Sequence, residues 1–75
     1  MSGKRPVRVG DVYDLGFGIR FEVTAFDLMS PKGPTAIGVE SVGDRAAQAH
    51  HAARRLVLFC KLMSGGTGQA VEVSE

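Results

Sequence analysis

The stretch Phe17 to Phe26, Phe-Gly-Ile-Arg-Phe-Glu-Val-Thr-Ala-Phe, limits the fold more tightly than any other part of the chain. Phe17, Ile19, Phe21, Val23 and Ala25 are apolar, and Gly18, Arg20, Glu22 and Thr24 between them are small or polar. Successive side chains of a strand point to opposite faces, so a period of two makes a ribbon with one apolar and one polar face. Phe, Ile, Val and Thr also suit a pleated, half-buried surface. The pattern predicts a central strand over 17–26, with Phe26 stranded on the polar side beside Thr24.

The flanking segments extend this ribbon into a sheet. Residues 1–6 are small and charged and end in proline, which predicts a flexible tail. Val7, Val9 and Val12 predict a first strand, bent or bulged at Gly10-Asp11 so that Val9 and Val12 share a face. Gly16 and Gly18 supply a tight connection, giving a hairpin from about Val7 to Phe26. Ser30-Pro31-Lys32-Gly33-Pro34 excludes helix and central strand and reads as an exposed loop. Thr35 to Val42 resumes as a strand with Ile37 and Val39 inward. Gly38 marks a place where another backbone or a bulky side chain comes close.

From Asp44 to Arg55 the chain is alanine-rich and free of proline, glycine and β-branched residues, which predicts about three turns of helix. Ser41 or Asp44 caps it, the two having the spacing of a capping box, and Arg54 and Arg55 complement its dipole. Ala46, Ala49, Ala53 and Leu56 form one stripe, opposed by Asp44, Gln48, His51 and Arg55. Leu56 to Met63 is apolar on both faces apart from Lys61 and reads as a strand covered on both sides, one side facing a second subunit or the interior. Ser64-Gly65-Gly66-Thr67-Gly68 is a flexible break, and residues 64–75 as a whole read as a tail or short edge strand. The expected architecture is therefore α+β in the order β-β-β-α-β, with one helix before the last main strand. A strongly bent antiparallel sheet or small SH3-like barrel fits that order, and the short first strand and Gly-Asp turn resemble the opening of SH3-like barrels.

Seventy-five residues allow one domain, compact over 7–63, with a core small enough for self-association to be a natural extra source of burial. Nine basic against eight acidic residues give a net charge of +1, too weak a field to drive strong nucleic-acid binding. Lys4, Arg5 and Arg8 make a basic entry, and Glu72 and Glu75 an acidic exit. A single cysteine, Cys60, excludes an internal disulfide and suits a reducing, cytoplasmic compartment. Neither a signal peptide nor a membrane-spanning apolar run is expected.

The residue types that carry chemistry do not converge. His50, His51 and Cys60 lack the further ligands of a structural zinc set, and adjacent helical histidines point about 100° apart. A Cys60–His51–Asp44 triad would place its nucleophile in the most apolar strand and use up a helix cap. Asp11 and Asp14 read as solvated turn residues. Gly16-Phe17-Gly18 opens a strand and Gly65-Gly66-Thr67-Gly68 lies near the C-terminus, so neither has the strand-to-helix setting of a phosphate loop. No catalytic residue, metal site or cofactor is expected.

What stands out is Phe26 on the polar face, followed by Leu28 and Met29. A large apolar group on the wet side of a strand is informative in a way that a buried one is not. The expectation is a non-enzymatic module that binds a protein partner or its own second copy, of the accessory, adaptor or inhibitor type found in bacteria and mobile elements. Phe26, Leu28, Met29, Tyr13 and Arg20 are its interface candidates. The alternative is a nucleic-acid-binding SH3-like small barrel using Arg5, Arg8, Arg20, Lys32 and Arg54.

Overall fold

The structure, a computed structural model, describes residues 4–74 and arranges them as seven strands in two antiparallel sheets and one short helix. The elements are β1 (Lys4–Arg8), β2 (Val12–Gly16), β3 (Ile19–Asp27), β4 (Thr35–Val42), β5 (Arg45–Ala52), α1 (Ala53–Phe59), β6 (Lys61–Ser64) and β7 (Ala70–Ser74). A five-stranded sheet has the order β5-β4-β3-β2-β6, and β1 pairs with β7 in a separate ribbon. The class is α+β as expected. The larger sheet keeps two edges, β5 and β6, and is not a closed barrel.

The alternation of the central strand predicts its faces correctly only as far as Val23. Phe21 and Val23 are buried, with Ile19 partly so. The register then steps from Val23↔Gly38 to Ala25↔Ile37, leaving Thr24 as the extra residue of a β-bulge. One inserted residue reverses the facing of everything after it. Ala25 therefore turns outward, and Phe26 comes to lie opposite the fully buried Ala36, packed against the core. Phe26 is not stranded on the wet side. Phe17 departs from the prediction at the other end, lying in the turn before β3.

The faces of β4 follow from its register with the part of β3 before the bulge, where Gly38 lies opposite the buried Val23 and Val39 opposite the exposed Glu22. Ala36 and Gly38 are buried while Val39 is 40% exposed, the reverse of the expected facing. Gly38 is required there. A Cβ on it would run into the Glu22 carbonyl and meet Phe21 Cζ at 2.9 Å, the close approach expected from the sequence.

The alanine-rich segment is strand, not helix. β5 pairs with β4 without interruption from Thr35↔Ala52 to Val42↔Arg45. The hairpin turns on Gly43-Asp44, with Gly43 at φ 59° and Asp44 outside the left-handed region, the requirement of a type II′ turn. Asp44 thus closes a hairpin and caps no helix. The helix comes later, where a strand was expected. Ala53, Leu56, Val57 and Cys60 recur at helical spacing, Ala53 and Leu56 being fully buried and Val57 and Cys60 packed against the core. α1 starts directly from β5, with the Ala53 N–H donating to the Pro34 carbonyl at 2.9 Å.

The expected tail over 1–6 is strand from Lys4 onward, and residues 1–3 lie outside the described residues. The single first strand expected over Val7–Val12 is split by a turn at Gly10-Asp11 into β1 and β2, which belong to different sheets. The C-terminal stretch supplies β7, and residue 75 lies outside the described residues. Pairing of β1 with β7 sets the basic entry beside the strand that carries Glu72. Val7 and Val73 from this ribbon join Tyr13, Phe21, Val23, Ala36, Ala53 and Leu56 in the core.

Candidate protein-docking surface

The β2–β3 connection is a two-residue turn, since Gly16 pairs with Ile19. Phe17 and Gly18 have φ of 56° and 76°, the doubly left-handed geometry of a type I′ turn. Asp14 braces its start, its Oδ1 accepting the Gly16 N–H at 2.8 Å. Asn, Asp and Gly are the residues that suit the first position of such a turn. Phenylalanine does not, because its Cβ crowds the backbone in the left-handed region at a cost of about 1–2 kcal/mol. Phe17 nonetheless occupies it and is 99% exposed, so no contact with the core offsets that cost.

The strand registers bring further apolar groups to this end of the sheet. Ile19 pairs with Val42, which is 48% exposed before the β4–β5 turn. Asp14 pairs with Lys61, so the end of α1 arrives at the same end, carrying Phe59 at 81% exposure and Leu58. Leu62 and Met63 continue the exposed apolar run along the edge strand β6. The chain thus presents an apolar sheet end headed by Phe17 and Phe59. Sequence reasoning missed Phe17 because the alternation assigned it to the buried face. The signal for Phe59, Leu62 and Met63 was the doubly apolar run from Leu56 to Met63.

The expected interface residues do not come together. Leu28 and Met29 are exposed at the opposite end of β3, where the Met29 N–H donates to Asp27 Oδ1 at 3.0 Å. Phe26 packs inward beside them. Arg20 lies on the outer face of β3 in register with Asp14 and Ser41, six residues or roughly 20 Å of strand from Phe26. Tyr13 is buried, and its hydroxyl donates to Asp11 Oδ2 at 3.0 Å.

Asp11 is likewise buried and is not the solvated turn residue expected. Its Oδ2 also accepts the Arg8 N–H at 2.9 Å, and its Oδ1 accepts the Gly66 N–H at 2.6 Å. This carboxylate ties the β1–β2 turn to the glycine loop, so the loop is a fitted connection and not a flexible break. A Cβ on Gly66 would collide with the backbone of Val9, Gly10 and Asp11. Burial raises the Tyr13 phenol above its ordinary range, and the hydrogen bond to Asp11 and that residue's charge raise it further.

Of the two histidines, His51 is held in a structural pair. His50 and His51 occupy opposite faces of β5. His51 lies edge-on to Phe21, with ring centroids 4.7 Å apart, and its Nε2 is 2.9 Å from Glu40 Oε1. Asp44 lies in the turn before β5 and His51 near that strand's far end, roughly 23 Å away along the chain, which breaks any triad with Cys60. Burial pushes the Cys60 thiol up, against the Arg55 guanidinium and with the Asp14 carboxylate adding to the rise. Among the described residues no three His, Cys, Asp or Glu side chains are grouped as metal ligands. The five cationic candidates are dispersed. Arg5 and Arg8 sit on β1, with Arg8 Nη1 donating to the Gly68 carbonyl at 3.3 Å, and Arg20 lies on β3. Lys32 and Arg54 line a recess of about 330 Å³ with Glu72. Among the described residues no helix is long and apolar enough to cross a membrane.

No protein-family model matches the chain, and no curated protein and no solved structure matches it.

Proposed function

We propose that this chain is a non-enzymatic interaction module that docks on a protein partner, with Phe17 as the anchor of the docking surface. One observation carries the reading: a wholly exposed phenylalanine held in a left-handed turn position that disfavours it. Residues that break a local rule without a stabilising contact in the same chain are those whose role lies in function. Exposed aromatic anchors of this kind supply most of the free energy at protein interfaces. Phe59, Leu58 and Val42 extend the apolar area around it, and Leu28 and Met29 form a second, smaller exposed site at the far end.

The test is Phe17→Asn, which suits the turn. The variant should unfold at a higher denaturant concentration than the wild type, by about 1 kcal/mol, because the left-handed strain is relieved. It should also lose the partners that immobilised wild-type chain captures from a lysate. A variant that is more stable and captures the same partners would falsify the reading.

A second reading is a nucleic-acid-binding module of SH3-like strand order, with its sheet open and not closed into a barrel. It draws on the β2–β5 meander, the helix before β6 and the return of β6 to pair with β2, together with Lys32 and Arg54 around one recess. Titration of a fluorescent oligonucleotide at two salt concentrations separates the two. Salt-sensitive binding supports the second reading, and no binding at low salt removes it.

A further inference from the structure

Strand edges are a liability that proteins usually blunt with proline, lysine, bulges or shortness. β6 is blunted, being four residues long with an irregular register against β2. β5 is not. It is eight residues long, contains no proline or lysine, and follows β4 without a register shift. Four of its eight side chains are alanine, and Arg45 to Gln48 and His50 are exposed.

We propose that β5 is a self-association edge, pairing antiparallel with β5 of a second copy so that two five-stranded sheets become one of ten. This rests on the protein-binding reading and names one partner, the chain itself, at a surface separate from Phe17. The backbone sets the register. Val42 and Arg45 close a two-residue turn and so form a hydrogen-bonded pair. Counting the antiparallel alternation from that pair directs the N–H and C=O groups of Ala46, Gln48 and His50 away from β4. A twofold axis perpendicular to the sheet keeps like faces together, so opposed residues must differ by an even number. The register that uses all of Arg45 to His51 is then centred on Gln48, with Ala46 opposite the second copy's His50. About six backbone hydrogen bonds close such a pairing.

Charge complementarity favours a second copy over an unrelated strand. Each β5 carries one formal positive charge, Arg45, and the twofold places the two arginines at opposite ends of the pairing. Each arginine then lies opposite His51 of the other copy, the residue that contacts the Glu40 carboxylate at 2.9 Å. The cation of one copy thus meets the acid of the other twice over. Gln48 faces its own symmetry mate, and two amides satisfy each other as donor and acceptor. A chain of this size gains from the added burial.

Light scattering on the full chain across the micromolar to millimolar range tests the proposal, with wild type expected to be dimeric. Gln48→Lys leaves an exposed position exposed in the monomer but sets two ammonium groups together at the twofold, and should weaken the dimer by about tenfold. Gln48→Pro removes an outward N–H that β4 does not use and should abolish dimerisation. If circular dichroism shows the proline variant unfolded, the lysine variant alone decides. Phe17→Asn should leave the dimer intact, so loss of partner capture and loss of the dimer are read separately. A monomeric wild type, a dimer unmoved by Gln48→Lys, or a dimer lost in Phe17→Asn instead would overturn the proposal.

Discussion

Tyr13 and Asp11 show how burial changes the meaning of a polar residue. Read alone, Asp11 is a turn former and Tyr13 a candidate interface aromatic. In the fold they form a buried pair, with two backbone N–H groups completing the set of donors around the carboxylate. The pair has a pH consequence of definite sign. The Tyr13 phenol titrates higher in the folded chain than its ordinary value of 10.0. Its contribution to stability is fully present below that value and is lost as the pH rises above it. Tyr13 is the only tyrosine and there is no tryptophan, so phenolate absorbance reports on this residue alone. Phenolate should be absent at pH values where free tyrosine is half ionised, and should appear together with unfolding. Tyr13→Phe should lose about 1 kcal/mol near neutral pH by removing one donor to Asp11. It should also lack the tyrosine-linked decline at alkaline pH. Phenolate that rises with an ordinary midpoint while circular dichroism stays native would contradict the burial.

The elements divide by how local their causes are. The β2–β3 and β4–β5 hairpins turn on Phe17-Gly18 and Gly43-Asp44, two-residue loops whose glycines supply the left-handed backbone that such loops need. The first was legible in the sequence. The second was equally present, but the surrounding alanines gave the segment a helix propensity that hid it. Tertiary context overrides propensity here, because the tight turn lays Arg45–Ala52 along an open edge of β4. Gly38 is the other controlling glycine, since the Phe21 ring and the Glu22 backbone leave no space for a side chain. Gly38→Ala should therefore destabilise the chain by about 1–3 kcal/mol through overpacking between β3 and β4. Urea unfolding measures this directly, and an unchanged midpoint would mean that the two strands are not in that contact.

On the scale of the whole molecule, the five-stranded sheet cannot close its core alone. α1 covers part of its inner face with Ala53 and Leu56, and the β1–β7 ribbon contributes Val7 and Val73. The first and last strands therefore clasp one core, with Asp11 fastening the clasp to the glycine loop. A chain ending at Gly68 loses the burial of Val73, worth about 1.5–2 kcal/mol, together with every ladder bond of β1. Set against a total stability of only about 5–15 kcal/mol for a domain, this loss should remove most of the folded population. Circular dichroism should show no cooperative thermal transition. A truncated chain that melts like the full one would show that the ribbon is dispensable.

The sequence by itself determined what neighbouring residues settle between them. The alternation from Ile19 to Val23, the loop at Pro31–Pro34 and the close approach at Gly38 follow from side-chain period, proline geometry and the lack of a Cβ. Tertiary structure alone decided the rest. One extra residue at Thr24 reversed the faces of Ala25 and Phe26, and no local pattern announces a bulge. Alanine carries too little apolar contrast to mark a face, so the state of residues 45–52 was set by the strand beside them. Whether Phe17 or Phe26 would be exposed depended on where the chain turned and slipped register, and those choices are made between strands.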